Sequence, residues 1–581
     1  MSLYLPSSDQ LRSLLSKQME IFRLSLSFIF IIGIYILMSF VTLLFAGQIG
    51  QSHLAGVGLA NTLYNIIVTS VSTGYSSVFD TYGPQVYGTG TSNQGELGTV
   101  LLKCLLQGTL VQLFLLGPYL NIVYIIDLLP EGSLYSESPG DDVGRDFRDI
   151  AVQYLRTVVV VEYLDYALMM ISKYFAIQGY NKFVYLISGV MIGSHLLSNY
   201  VLVALLELEV PGLGSAAILG RVIPLAVSLT VCFVMVKRGR FSWNGFSTRA
   251  LLGWGPMVKL GVSGAINAFA EMALFEISNF FSQFDGTTAL SVVIIVMQII
   301  ALFWAITLGM SRASATLIGK ALAEGDATKI RSYMKLSVVN ALVISTTLAI
   351  LSFSFRRFEV QIFSSESEVV ELFVSAYWLV CLKIPVDHLQ TMLNQGILVA
   401  FGAQKYTACT MSIASYGIGL PIILITIFFS DLKVTGIFLG ILIVDLIMVV
   451  TASLRIWMVD ISKEIQNSKA RVSGDETKSQ IRQTDTDTVA LEGEIHQNVA
   501  ISYHVSEGEA SDRENGTVEV SSLVNGEAHE IGNNLTESVE TAVVKKTAKF
   551  SNSKEIRNVL LAFVTAGALC VSLAGVSLMR Q

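Results

Sequence analysis

Charged side chains are scarce in this sequence of 581 residues. Asp, Glu, Lys and Arg together make up 14% of it, whereas hydrophobic residues make up 52%. A soluble domain carries roughly a quarter charged residues. Apolar stretches recur along the chain, and at about 18 residues or more they are long enough to cross a bilayer as helices. The composition therefore excludes a soluble globular protein and predicts a multi-pass membrane protein.

Signatures of catalysis and metal binding are also lacking. The five cysteines lie mostly inside apolar runs without the spacing of metal ligands, so we interpret them as small buried hydrophobes. The sequence has no phosphate-binding glycine loop, no HExxH motif and no nucleophile elbow. We therefore predict that the protein is not an enzyme and holds neither a metal nor a cofactor. We also expect no nucleic-acid partner.

Twelve apolar segments precede residue 458, and each predicts a transmembrane helix. A further apolar run at 558–578 predicts a thirteenth, C-terminal transmembrane helix. The segment between them, 458–557, is polar, acidic and poor in aromatic residues, which predicts a disordered cytosolic segment. The twelve predicted helices are 24–46, 54–79, 99–126, 151–177, 183–206, 213–236, 260–283, 288–312, 336–355, 369–400, 408–429 and 434–457.

Basic residues in short loops predict the orientation of the chain. They cluster in the loops at 237–249 and 320–335, which lie on one side of the membrane if the N-terminal segment 1–23 is cytosolic. Arg356 and Arg357 are exceptions on the outer side. We expect a protein of the plasma membrane in the first place, and of a vacuolar or endosomal membrane in the second.

The two halves of the sequence resemble each other. The stretch TGYSSVFDTYGPQVYGTG (73–90) matches LGMSRASATLIGKALAEG (308–325) at an offset that aligns their first and last glycines. The shorter stretch QGYNKF (178–183) matches FGAQKY (401–406), with Gly179 aligned to Gly402 and Lys182 to Lys405. Because the matches occur in the same order, they predict two copies of one six-helix unit.

An internal repeat of this kind predicts the architecture. Six helices per copy leave both copies in the same orientation, related by an axis along the membrane normal. We therefore predict an all-α polytopic membrane protein with two pseudo-symmetric six-helix lobes and an additional C-terminal helix. The lobes are 24–236 and 260–457, joined by a cytosolic linker at 237–259. Two lobes around a central cleft are typical of a transporter.

Two glutamates lie inside one of the predicted helices. Glu271 and Glu276 occur in NAFAEMALFEISNFF, within the seventh apolar segment. An ionised group at mid-bilayer costs roughly 3 kcal/mol or more, so intramembrane acids are usually functional. Five residues separate the two acids by about 7.5 Å along the axis and about 140° around it. They therefore do not share a face of the helix.

One motif resembles a known family. GYSSVFDTYGPQVYG, at the end of the second predicted helix, resembles the signature of the multidrug and toxin extrusion (MATE) family, with Asp80 and Gln85 in place. GKALAEGD (319–326) resembles the corresponding motif of the second half. The resemblance covers 20–457, and a thirteenth helix is similar to that of the animal-like, eukaryotic branch. We assign Asp80 and Gln85 to structure or gating at the cytosolic end, where Asp80 is expected to cap or brace a loop.

The resemblance implies secondary antiport, in which organic cations or xenobiotics leave in exchange for H⁺, or Na⁺, by alternating access. Animal members carry paired glutamates where Glu271 and Glu276 lie, and VDHLQ supplies Asp387 and Gln390 in the tenth helix. Burial disfavours the charged form of a carboxyl group and a bound cation favours it, so proton and cation compete. We expect Glu271 to be the exchange site, Asp387 its partner, and Glu276 a support. We expect a monomer in the lipid bilayer.

Several other residues are expected along the transport path. Asn65 matches an asparagine that lines this path in animal members, and Gln390 lies beside the tenth-helix acid. Gln298 stands where animal members have a third glutamate, which removes one ionisable group. Tyr35 and Trp304 could present aromatic faces to a cation.

Two further charges are unusual for their depth in the membrane. Arg221 and Asp445 occupy equivalent positions of the two lobes. They could pair with each other across the lobes, or Arg221 could pair with Glu162 or Asp165, and the sequence leaves this open. We expect Lys173 to extend to the cytosolic interface instead.

Two other carrier classes are compatible with this number of helices. A flippase for lipid-linked sugars favours a basic central cavity for phosphate, whereas the candidate cavity residues here are acidic. A carrier of the major-facilitator type usually has a basic Asp-Arg loop after its second helix, and DTYGPQVYGTGTSNQ does not resemble it. The alternative to a cation exporter is a flippase of the lipid-linked oligosaccharide type or another polytopic carrier for a non-cationic metabolite.

Overall fold

The computed structural model describes the chain in blocks separated by gaps: residues 8–90, 96–121, 143–239, 241, 243, 248–282, 285–364, 366–430 and 432–473. By internal contacts the chain divides into two units, Met1–Arg482 and Gln483–Gln581, and every described residue belongs to the first unit. The predicted thirteenth helix, 558–578, lies outside the described residues.

All regular secondary structure in the described blocks is helical. We label the helices α1 (Ser8–Ile49), α2 (Ser52–Gly88), α3 (Glu96–Leu120), α4 (Val143–Thr157), α5 (Val161–Ile177), α6 (Asn181–Leu205), α7 (Glu209–Lys237), α8 (Gly255–Ser282), α9 (Thr287–Glu324), α10 (Ala327–Phe363), α11 (Ser367–Leu398), α12 (Gln404–Phe429), α13 (Lys433–Trp457) and α14 (Ile461–Ser473). A short 3₁₀ turn, Thr248–Leu251, precedes α8.

Eleven of the described helices are long and apolar enough to cross a membrane. The predicted helix 151–177 differs, because the chain forms α4 and α5 with a break after Thr157. The break falls in the sequence TVVVV, where consecutive β-branched residues restrict their side-chain rotamers and lower helix propensity. Helices α9 and α10 are longer than predicted. Helical hydrogen bonding continues beyond the most apolar residues, to Glu324 in α9 and to Phe363 in α10.

In the described blocks, four π-helical segments occur within the long helices or at their ends: Asn65–Thr69, Tyr200–Leu205, Met392–Leu398 and Ile413–Gly419. A π segment rotates the following side chains relative to a regular α-helix, and such segments are frequent at functional sites. The segments in α2 and α11 carry polar residues to the buried groups described below.

The two lobes approach each other closely where α2 meets α8. A Cβ atom added at Gly74 would collide with the carbonyl oxygen of Gly264 and lie 2.7 Å from Cα of Ala265. Near the end of α2 that carries the signature motif, Gly88 lies against the backbone of Lys320 in the same way. Small residues therefore allow backbone contact between the two lobes.

Substitution of Gly74 by alanine is expected to destabilise the protein by about 1–3 kcal/mol, because the added methyl group meets backbone atoms that cannot rotate away. Thermal unfolding of the purified protein in detergent measures this change. Gly58 provides the matched control, since it lies in the same helix and an added Cβ meets nothing within 4 Å. Gly58→Ala should keep or raise the melting temperature. Equal melting temperatures for the two variants would contradict close packing at Gly74.

The prediction of disorder from residue 458 onward is wrong for 461–473, where the chain forms α14. Arg471 of this helix donates from Nη1 to Oε1 of Gln85 (3.1 Å) and from Nη2 to the carbonyl of Phe401 (2.9 Å). Ile465 packs against the adjoining hydrophobic core. The helix has 13 residues, too few to change the overall composition of the segment 458–557. An argument from composition therefore could not reveal it. The remainder, 474–557, lies outside the described residues.

Candidate functional site

Glu271 is the centre of a buried polar cluster in the second lobe. Its side chain lies on α8, and the residue is 6% exposed. Gln395 donates from Nε2 to Oε2 of Glu271 (3.0 Å), and Gln390 donates from Nε2 to Oε1 (3.4 Å). Gln395 lies in the π segment Met392–Leu398, which turns its side chain toward α8. Two neutral amide groups therefore hold this carboxyl group.

Gln390 connects Glu271 with a second acid. The same Nε2 atom lies 3.4 Å from Oδ1 of Asp387, the partner that the sequence predicts for Glu271. Asp387 in turn accepts from Nζ of Lys383, one turn earlier on α11, at 2.8 Å. Lys383 also lies 3.2 Å from Oδ2 of Asp445 on α13. One ammonium group therefore joins two carboxylates deep in the lobe.

Sequence reasoning missed Lys383, although a signal was present. The residue is fully buried (0% exposed) within the apolar run WLVCLKIPVDHLQ, and it lies four positions before Asp387. A basic residue four positions before an acid in a helix reaches the same face of that helix. Its position in the middle of an apolar segment should have drawn the same attention as the glutamates.

Asp80 connects the two lobes rather than capping a loop. It lies inside a helical segment and is 1% exposed, so the expected capping role is wrong. Its Oδ2 atom lies 2.9 Å from Nζ of Lys173 on α5 and 2.9 Å from Nη1 of Arg312 on α9. The expectation that Lys173 extends to the interface is also wrong, because its ammonium group turns inward to this carboxylate.

Arg312 extends the polar contacts from Asp80 to Glu271. Its Nη2 atom donates to Oε1 of Gln395 at 3.4 Å, and Gln395 donates to Glu271. An unbroken series of side-chain contacts therefore runs from α5 in the first lobe to α13 in the second. Its members are Lys173, Asp80, Arg312, Gln395, Glu271, Gln390, Asp387, Lys383 and Asp445.

The signature motif of α2 also makes contacts between the lobes. Thr81 donates to the carbonyl of Val399 (2.7 Å), and Gln85 donates from Nε2 to the carbonyl of Ala400 (2.9 Å). Gln404 donates back to Thr81 Oγ1 at 2.8 Å. These bonds hold the end of α2 against the corner between α11 and α12. The position of Gln85 is consistent with the structural or gating assignment.

The first lobe has its own buried ion pair. Arg221 donates from Nε to Oδ1 of Asp165 at 3.0 Å, and the hydroxyl of Tyr35 donates to the Asp165 carbonyl at 3.1 Å. Arg221 thus pairs with Asp165 and Asp445 with Lys383, so each member of the symmetric pair finds its partner within its own lobe. The two do not pair across the lobes.

The remaining predicted site residues lie apart from these contacts. Glu276 is half-buried and accepts from Nδ2 of Asn279 at 3.3 Å, one turn along the same helix. Asn65 and Gln298 are exposed, and Trp304 is half-buried. Among the described contacts, none joins Glu276 to the cluster around Glu271, which agrees with their different faces of α8. Within the described blocks, no group of three or more His, Cys, Asp or Glu side chains forms a metal site.

Comparison with known proteins places this architecture in a family. The family model described as MatE matches residues 27–201 and 265–425. An uncharacterised transporter of Schizosaccharomyces pombe is 26% identical over 395 residues, covering 68% of this chain and 70% of that protein. Human multidrug and toxin extrusion protein 1 is 26% identical over 411 residues, covering 70% of this chain and 69% of that protein.

Solved structures agree with the helical arrangement. The crystal structure of the eukaryotic MATE transporter AtDTX14 matches with a TM-score of 0.70 at 19% identity, covering 79% of this chain and 99% of that chain. The Vibrio cholerae MATE transporter VcmN in the bent form matches with a TM-score of 0.63 at 15% identity, over 79% and 99%. The predicted fold of two six-helix lobes is confirmed. The chain is a multi-pass membrane transporter, not an enzyme, and it belongs to the MATE family.

Proposed function

We propose that this transporter exports organic cations or drug-like xenobiotics in exchange for protons, with Glu271 as the site that both ligands share. The proposal rests on the surroundings of Glu271. The residue is buried and accepts from the amides of Gln390 and Gln395. None of the described ion pairs joins it to a basic side chain. A neutral donor can satisfy a carboxyl oxygen in either protonation state. The group is therefore available to bind a proton or a cation.

Asp387 and Asp445 have a different role in this proposal. Lys383 lies between them at 2.8 and 3.2 Å and neutralises one of their two charges. Gln390 lies within hydrogen-bond distance of both Glu271 and Asp387. A change of charge at Glu271 therefore alters the electrostatic energy of the Lys383–Asp387 ion pair. The ion pair tunes the exchange site without occupying it. Glu276, at the other face of α8, supports the acidic surroundings of the path.

The class of substrate follows from the charges near the path. The relatives are named for multidrug and toxin extrusion, and an uncompensated buried acid attracts a cation. Gln298 is exposed and carries a neutral amide, so Asn65, Gln298 and Gln390 line the path with polar groups rather than further charges. Tyr35 and Trp304 supply aromatic faces. This combination fits a monovalent organic cation with apolar surface.

Alternating access would require the contacts between the lobes to break and re-form. These contacts are the Asp80–Arg312 ion pair and the bonds from Thr81 and Gln85 to Val399 and Ala400. All of them lie near the end of α2 that we assign to the cytosol. Opening toward the cytosol would separate them, so Asp80 and Gln85 act as parts of a gate. We assign the protein to the plasma membrane first and a vacuolar or endosomal membrane second, as a monomer.

A flippase for lipid-linked phosphate sugars is less consistent with these contacts. Such a protein needs basic side chains that are available to a phosphate. The buried bases Lys173, Arg221, Arg312 and Lys383 each contact a carboxylate at 2.8 to 3.2 Å. These four bases are thus already paired with acids, whereas Glu271 is in none of the described ion pairs.

Uptake of labelled tetraethylammonium into proteoliposomes tests the proposal. The vesicles contain the full chain and an acidic interior, so that proton efflux can drive uptake of the cation. Tetraethylammonium cannot lose a proton, and hence cannot accumulate by pH partitioning alone. We expect accumulation that a proton ionophore abolishes and that empty vesicles do not show. Accumulation driven only by a sodium gradient would overturn proton coupling, and absence of movement with either gradient would overturn the cationic substrate class.

A further inference from the structure

Glu162 is a buried acid for which the site around Glu271 provides no role. It lies in the first turn of α5 and is 5% exposed. Asp165, one turn later, is neutralised by Arg221 at 3.0 Å. Glu162 itself accepts a hydrogen bond from the Thr69 hydroxyl at 3.3 Å. None of the ion pairs in the described blocks includes it, whereas two other acids of the first lobe, Asp80 and Asp165, each pair with a base.

Local structure directs a neutral donor to this carboxyl group. Thr69 is the last residue of the π segment Asn65–Thr69, which turns it toward α5. Among the described hydrogen bonds, its hydroxyl group is the donor to Glu162. The break before α5 places Glu162 near a helix N-terminus, where the backbone tolerates a negative charge. A hydroxyl group can donate to the ionised carboxylate and accept from the protonated acid, so this contact is compatible with either protonation state.

The two lobes share this arrangement. Each contains a buried base bound to acid, Arg221 with Asp165 in the first and Lys383 with Asp387 and Asp445 in the second. Each also contains one acid that is in no described ion pair and that accepts a hydrogen bond from a neutral side chain of a π segment. In the second lobe this acid is Glu271, and in the first lobe it is Glu162. The sequence repeat does not show this correspondence, because the two acids lie on different helices.

We propose that Glu162 is a second proton-binding site, so that two protons are exchanged for each cation. The proposal rests on the proposed function for its transport readout, and on the burial and partners of Glu162 for its location. Five helices contribute ionisable groups around Glu162. These groups are Tyr35 on α1, Tyr64 on α2, Tyr119 on α3, Asp165 on α5 and Arg221 on α7.

The limiting accumulation of tetraethylammonium tests the number of protons. With the membrane potential clamped to zero, one pH unit is worth about tenfold for each exchanged proton. Wild type should therefore approach about 100-fold accumulation, and Glu162→Gln about tenfold. Glu359→Gln is the matched control, because Glu359 also accepts from hydroxyls (Ser352 at 2.9 Å and Tyr377 at 2.7 Å) but lies outside both clusters. It should match wild type. Equal limits for wild type and Glu162→Gln would overturn the second site and leave the exchange function standing.

Infrared difference spectroscopy separates this proposal from the proposed function. A pH jump on the purified full-length protein changes the carbonyl stretch of each carboxyl group that gains or loses a proton. We expect a band that Glu162→Gln removes and Glu359→Gln retains. This readout needs no transport, so it decides about Glu162 even if tetraethylammonium does not move. A spectrum unchanged by Glu162→Gln would overturn the proposal.

Discussion

Glu271→Gln is expected to abolish accumulation of tetraethylammonium against its gradient. Glutamine keeps the size of the side chain and one oxygen acceptor, but it can neither bind a proton nor carry the charge that attracts a cation. Both halves of the exchange are therefore lost together. The measurement is uptake into acid-loaded proteoliposomes with matched amounts of wild-type and variant protein.

The variant should remain folded. In wild type, the amides of Gln390 and Gln395 each donate to one oxygen of Glu271. In the variant one of them faces an NH₂ group, and a lost hydrogen bond of this kind costs about 1 kcal/mol. We expect a slightly lower melting temperature and a single unfolding transition, which distinguishes loss of the exchange site from loss of the fold.

Glu276→Gln is the companion variant on the same helix. Its described partner is Asn279, one turn along α8, and it has no described contact with Gln390 or Gln395. We therefore expect a change in apparent affinity and retention of gradient-driven uptake. Equal activity of wild type and Glu271→Gln would move the exchange site to Asp387, the next acid in the series of contacts.

The fold was largely predictable from the sequence, because the length of each apolar run can be read directly along the chain and does not depend on contacts between helices. The long apolar runs among the described residues are helical, and two charges inside them, Glu271 and Arg221, are buried. The prediction missed the break between α4 and α5, because the valines at 158–161 are strongly apolar and hydropathy gives no sign of a break there. Helix propensity, rather than hydropathy, decides the conformation there.

The partners of the buried charges were not predictable. Whether Arg221 meets Asp165 or Asp445 depends on how each helix is rotated, and a π segment changes that rotation without a visible mark in the sequence. Gln395 illustrates this point, because its contact with Glu271 follows the start of the π segment at Met392. The same limit applies to Asp80. The sequence predicted a loop that Asp80 would cap or brace, but the helix continues through Gly83 and Pro84 to Gly88.

Lys383→Met is expected to destabilise the protein by about 3–5 kcal/mol, the cost of breaking a buried ion pair by removing one partner. Lys383 is the one base in contact with both Asp387 and Asp445 among the described residues. Its ammonium group also lies 5.5 Å from the ring centre of Phe275 on α8, so it ties three helices together. Thermal unfolding of the purified variant in detergent measures the loss.

Removing the carboxylates as well should restore stability. In the triple variant Lys383→Met, Asp387→Asn and Asp445→Asn, no uncompensated charge remains, and replacing a whole buried ion pair by neutral groups is often neutral or stabilising. Transport should be impaired, because the charges of Lys383, Asp387 and Asp445, which act on Glu271 through Gln390, are all absent from this variant. The alternative result, a melting temperature for Lys383→Met equal to that of wild type, would mean that Asp387 and Asp445 share protons and need no base. Glu271 would then be one of several protonated acids rather than the exchange site, and the number of protons per cation would have to be assigned to the cluster as a whole.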